Sequence, residues 1–185
     1  MLNNIVGVLG VGGGVATNFD SIATNTLTSN QTNITFSSIA GTYKHLQLRF
    51  MTRNNRASQL DGIYLRFNSD TASNYSEHFL RGDGATASAG ATAPNSWMLS
   101  GNVAASNAGA NIYGVGVIDI LEYANTNINK TIRSLTGFDN NGSGYVGLFS
   151  GNWRSTSAVT SITIGSTDGT GLLSGSTFAL YGIKA

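Results

Sequence analysis

The chain has no cysteine, a single proline and few charges: ten Lys and Arg against nine Asp and Glu in 185 residues. Without cysteine there is no disulfide framework, no thiolate zinc site and no cysteine nucleophile. Charged residues make up 10% of the chain, well under the usual level of about 25%. A net charge of +1 argues against a general nucleic-acid binder, which needs a basic face to neutralise phosphates, so no nucleic-acid partner is expected. No run of about 18 apolar residues occurs, so neither a transmembrane helix nor a membrane partner is expected. The two histidines, His45 and His78, are not spaced as a metal-ligand pair, and no His-Glu-x-x-His set is present. No metal or cofactor is expected.

Glycine is abundant, at 24 residues, and 41% of the chain is hydrophobic. That is enough apolar material to drive folding, and at this length roughly 70% of the unfolded chain's surface is hidden in the native state. The glycines concentrate at the start, in Met1-Leu-Asn-Asn-Ile-Val-Gly-Val-Leu-Gly-Val-Gly-Gly-Gly-Val-Ala-Thr17. With each glycine costing about 1 kcal/mol against alanine, a stable helix is not expected there. The stretch also lacks the Lys or Arg of a signal peptide. Residues 1–18 therefore read as an extended apolar arm and residues 19–185 as one domain. Leu2, Ile5, Val6, Val8, Leu9 and Val11 are the arm's candidate partner-binding side chains, suited to strand addition along another protein or a neighbouring copy.

From about Phe19 the pattern has a period of two. Ile34 and Phe36, then Leu46, Leu48 and Phe50, then Ile63, Leu65 and Phe67 alternate with mostly polar neighbours, as on half-buried strands. Further runs follow at 75–80, 97–101, 112–122, 131–138, 145–153, 159–164 and 178–183. Between them lies turn chemistry such as Asp61-Gly62, Asp83-Gly84, Asn140-Asn-Gly142 and Asp168-Gly169. No window sustains a helical period. The expectation is an all-β antiparallel sandwich or jelly roll of eight to ten strands with an extended N-terminal arm. The small polar stretches 82–94 and 104–110 read as exposed excursions.

The residues of chemistry do not converge. Asp119 and Glu122 near a strand end are the nearest thing to a glycosidase carboxylate pair, and turn formation explains them equally well. Asp139-Asn-Asn-Gly-Ser-Gly144 partly matches a calcium loop, but its last ligand position falls on Ser150; Asn-Asn-Gly is also a hairpin turn. Gly10–Gly14 lacks the Lys-Ser/Thr of a phosphate loop. No catalytic site and no enzyme activity are expected. Trp97, Trp153 and Tyr75 are candidate glycan-stacking or subunit-interface aromatics. Arg49, Arg53, Arg56, Arg66 and Arg81 fall within three strands, as a solvated face or an interface.

Several segments together carry a resemblance: Phe36-Ser-Ser-Ile-Ala-Gly-Thr-Tyr-Lys-His-Leu-Gln-Leu-Arg49, Leu65-Arg-Phe-Asn-Ser-Asp70 with Asn74-Tyr-Ser76, Ile118-Asp-Ile-Leu-Glu-Tyr-Ala-Asn-Thr-Asn127 with Lys130-Thr-Ile-Arg133, and Phe178-Ala-Leu-Tyr-Gly-Ile-Lys184. The set resembles the small jelly-roll structural proteins of tailed bacteriophages over nearly the whole β region; the Gly-rich start lies outside the pattern. The resemblance implies a virion component, in first place a capsid decoration or cement protein. Its partners would be the major capsid protein or other virion proteins, and itself as a homotrimer. The alternative is a tail, fibre or baseplate protein that binds host glycans.

Overall fold

Alternation over short segments, cut by turn residues, yields strands. The structure, a computed structural model, describes residues 18–184; the arm side chains Leu2, Ile5, Val6, Val8, Leu9 and Val11 lie outside the described residues. Twelve strands follow in order: β1 (Phe19–Thr26), β2 (Asn33–Phe36), β3 (His45–Thr52), β4 (Leu60–Phe67), β5 (Tyr75–Gly82), β6 (Ala87–Asn95), β7 (Met98–Ala104), β8 (Gly114–Leu121), β9 (Lys130–Asp139), β10 (Gly144–Trp153), β11 (Ile162–Ser166) and β12 (Thr177–Ile183). They form two antiparallel sheets, β1-β12-β3-β8-β9-β10-β5-β6 and β2-β11-β4-β7. The fold is an antiparallel β-sandwich.

The pairing order makes it a jelly roll with additions. A jelly roll wraps eight strands so that first pairs with eighth, second with seventh, third with sixth and fourth with fifth. Here β2 pairs with β11, β4 with β7 and β5 with β6. The remaining couple, β3 and β10, is separated by the hairpin β8–β9, which follows β7 in the chain and wedges between them. Strands β1 and β12 extend the same sheet beyond β3. Two strands exceed the sequence expectation. The stretch 82–94 is mostly the edge strand β6, whose backbone pairs with β5. Its Ala, Gly, Ser and Thr residues show no period because they are small on both faces.

The core lies between the sheets. Leu46, Leu48, Ile118, Ile120, Ile132, Phe178 and Leu180 of the large sheet meet Ile34, Ile63, Leu65, Phe67, Met98, Ile162 and Ile164 of the small one, all essentially inaccessible. Burial of each such side chain contributes about 1.5–3 kcal/mol. Polar clamps fix the loops around this core. Arg53 sends its guanidinium to the carbonyl oxygens of Gly109 (2.7 Å), Ala108 (2.8 Å) and Ser106 (3.0 Å), and so pins the β7–β8 connection. The fully buried Lys130 ammonium donates to the carbonyls of Asn125 (2.6 Å), Ile128 (2.8 Å) and Thr156 (3.1 Å), and closes the end of the inserted hairpin. The buried Asp61 carboxylate accepts from Asn54 Nδ2 (2.8 Å) and Ser166 Oγ (2.7 Å), tying β4 to β11.

Candidate interaction surface

The inner face of the large sheet is unusually rich in glycine, and this decides what lies outside. On β10 the inward positions are Gly147, Phe149, Gly151 and Trp153; on β8 they are Gly114, Gly116, Ile118 and Ile120. A Cβ on Gly151 would fall 2.6 Å from Met98 Sδ, and one on Gly114 would fall 2.7 Å from the Val103 Cβ. At Gly114 the backbone Cα of Val103, 2.8 Å away, bars any side chain, and at Gly151 a Cβ would force the Met98 side chain of β7 to shift. Because side chains alternate, the phase of each strand is set, and Val115, Val117 and Leu121 of β8 and Val146 and Leu148 of β10 face outward.

The register collects these residues across six strands. One row runs Val117, Leu135, Leu148, Leu80 and Ala89 through β8, β9, β10, β5 and β6. The adjacent row runs Met51, Val115, Gly137, Val146, Gly82 and Ala87, beginning on β3. Exposure of the large aliphatics is high, from 44% at Met51 through 52% at Leu135 to 57% at Leu80 and Val146. Single exposed aliphatics are ordinary; a contiguous sheet of them marks an interaction surface. Beside the first row a groove of about 430 Å³ is lined by His78, Leu80, Leu121, Thr131, Arg133 and Leu148.

Charge is confined to the margins. Asp119 accepts from Arg133 (2.8 Å) and from Gln47 Nε2 (2.8 Å). Partial burial pushes its carboxyl upward, but those hydrogen bonds and the guanidinium outweigh it and hold it below the usual carboxylate range. Glu122 is paired with Lys44 at 2.6 Å, which holds it low as well. Each carboxylate is thus committed to its own cation and kept ionised; a glycosidase general acid needs the opposite shift. His45 Nδ1 accepts the Glu122 amide (3.0 Å).

The aromatic candidates separate. Tyr75 and Trp153 are core residues, 0% and 2% exposed. Their rings stack on each other (6.2 Å, 15°), Trp153 meets Phe67 edge-on (5.6 Å), and its Nε1 donates to Asp70 Oδ2 (2.7 Å). Neither ring has a free face for a sugar, which corrects that part of the sequence expectation. Trp97 is half-buried and lies against Tyr64 (6.0 Å), with Arg66 over the Tyr64 ring (5.4 Å). The arginines disperse: Arg49 stacks on Tyr181 and Phe19, Arg81 covers Phe79, and Arg53 is buried. Residues 139–144 form the β9–β10 turn, with Asn141 and Gly142 at φ 54° and 100° and Asp139 accepting the Asn141 amide (2.7 Å). Among the described residues no group of three His, Cys, Asp or Glu is placed to hold a metal ion. No helix of the described residues is long and apolar enough to cross a membrane.

Fold and surface together define a jelly-roll β-sandwich with one broad aliphatic outer face. No protein-family model and no curated protein matches the chain. Among solved structures it is similar to the galectin LEC-6 of Caenorhabditis elegans, at 12% identity and a TM-score of 0.32, over 93% of this chain and 100% of that one. So distant a likeness leaves fold and function to be read from the residues of this chain.

Proposed function

We propose that the chain is a structural component of a tailed-phage virion, of the capsid-decoration type, acting by assembly and not by catalysis. The observation that carries an assembly role is the aliphatic outer face of the large sheet, since contiguous exposed apolar patches mark interaction sites. The virion setting rests on the segments that resemble phage structural proteins. Shell attachment falls to the N-terminal segment, whose Leu2, Ile5, Val6, Val8, Leu9 and Val11 are spaced among glycines and uncharged. Burying six such side chains contributes on the order of 9–18 kcal/mol before the cost of ordering the chain. Several copies acting together would make the attachment tight.

One observation favours the alternative, a tail or fibre protein that binds host glycans: the half-buried Tyr64–Trp97 pair with Arg66, on the small sheet. The experiment is binding of purified protein to capsid heads lacking it, with and without residues 1–17, alongside a glycan array. Saturable binding to heads that is lost on deletion supports decoration. Absence of head binding together with a glycan signal lost in Trp97→Ala overturns it in favour of the alternative.

A further inference from the structure

The two outward rows of the large sheet are complementary to each other. On β9, Leu135 stands two residues from Gly137; on β5, Leu80 stands two residues from Gly82; on β10, Leu148 stands two residues from Val146. These three strands therefore carry a large side chain in one row and a smaller one in the other, while β8 has valine in both rows and β6 alanine. Consider a two-fold axis lying in the plane of the face, across the strands and midway between the rows. It leaves each strand opposite its own counterpart, reverses the direction, and exchanges the rows. Leu135 then meets the glycine at 137 of a second copy, Leu80 meets its glycine at 82, Leu148 meets its Val146, and Val117 meets its Val115.

We propose that this face is the contact between two copies of the chain, packed sheet on sheet about such an axis. Isologous contacts require one patch to be complementary to itself, and the alternation of leucine with glycine along β9 and β5 meets that requirement. The extent is right: large aliphatics about half exposed present on the order of 600 Å² of apolar surface, and the flanking Ala87, Ala89 and Ala91 bring a face near the roughly 800 Å² per partner of a standard interface. The electrostatics also permit an identical partner. Arg49 continues the first row on β3 beside Val117, with its guanidinium drawn over Tyr181 and Phe19 and its Nε donating to Gln47 Oε1 (2.8 Å). The Asp119–Arg133 pair stands in the next row, its members neutralising one another at 2.8 Å. Two such faces meet without a cluster of like charge between them. Aliphatic rows on facing sheets interdigitate at a separation of about 10 Å.

The inference rests on the assembly reading above, and its test is separate from head binding. The mass of the full-length chain is measured by sedimentation equilibrium from low to high micromolar concentration. Wild type, Leu148→Asp, Gly82→Leu and, as a control on the small sheet, Thr163→Asp are compared, with near-UV circular dichroism to confirm folding. Gly82→Leu is the discriminating variant. A Cβ there has only the Thr86 carbonyl near it, at 3.9 Å, so the single chain has room, whereas the seat of the second copy's Leu80 is filled. The expected result is a wild-type and Thr163→Asp dimer, with dissociation constants raised about 100-fold or more in both face variants, the scale of an interface hot spot. A wild-type monomer throughout, a trimeric mass, or a dimer indifferent to both face substitutions overturns the proposal. A monomer that still binds heads sinks this contact and leaves the decoration reading standing; a dimer that ignores heads does the reverse.

Discussion

Replacing Lys130 with methionine tests whether the inserted hairpin is held by a buried cation. The ammonium is inaccessible and donates to three carbonyl oxygens within 3.1 Å. Burial works against its charge and draws the pKa below the ordinary value, while the three carbonyls work in favour of the charged form. Methionine keeps most of the volume and removes every donor. These hydrogen bonds are part-buried, and each carbonyl that water does not reach costs about 1–3 kcal/mol once its donor is gone, a gross loss of up to about 9 kcal/mol. Relief from holding a desolvated ion returns several kcal/mol. The net expectation is about 3 kcal/mol of destabilisation, or about 6–12 °C in Tm for a chain of this size. Urea denaturation followed by tryptophan fluorescence measures it, with hydrogen exchange at Ile128 and Asn125 as the local readout. A methionine variant as stable as wild type, or more so, would refute the reasoning, because the carbonyls would then have other donors.

Three further outcomes follow from the same structure. Glu77 is buried, and desolvation raises its carboxyl above the usual range despite hydrogen bonds from Thr92 and Leu99. A carboxyl raised in the fold stabilises it fully below the unfolded pKa and loses that contribution as pH rises through the folded value. Glu77→Gln should therefore raise Tm at pH 7.5 and leave it unchanged at pH 4; equal effects at both would count against this. Trp153→Ala should cost about 3–5 kcal/mol, since a stacked, hydrogen-bonded core ring is lost, and Trp153→Phe less; a folded Trp153→Ala variant of wild-type Tm would return that residue to the surface. Gly142→Ala, at φ 100°, should cost about 1–2 kcal/mol, and calcium should leave Tm unmoved; a calcium-induced rise would restore the ion-loop reading of residues 139–144.

The strands that could be read from sequence are those whose two faces differ. Leu46, Leu48 and Phe50 alternate with His45, Gln47 and Arg49, and β3 stands where that pattern puts it. Strand β6 escaped because Ala-Ser-Ala-Gly-Ala-Thr-Ala-Pro-Asn offers neither face a large side chain; its pairing comes from the neighbouring backbone. The interaction surface escaped for another reason. In Gly144-Tyr-Val-Gly-Leu-Phe-Ser-Gly-Asn-Trp153, apolar residues stand on both faces, and a rule sending the larger aliphatic side chains inward would turn the strand over. What fixes its phase is the room on the inner face: a Cβ on Gly147 would meet the Phe149 ring at 2.5 Å, and one on Gly151 would meet Met98 of β7 at 2.6 Å. The same effect misplaced Trp153 and Tyr75: aromatics that read as candidate ligand platforms fill the core beside those glycines.

The carbonyl oxygens gathered around the Arg53 guanidinium have a wider consequence. A ring of convergent backbone oxygens ordinarily recruits a cation from solution, and the order of such a loop then varies with the composition of the medium. Here the cation is tethered to the chain and shielded from bulk ions, where screening is weak. The β7–β8 connection carries its own counter-charge wherever the protein goes. Chelators and dilution have nothing to remove from it, and moderate changes of salt act on it less than they would on a pair at the open surface.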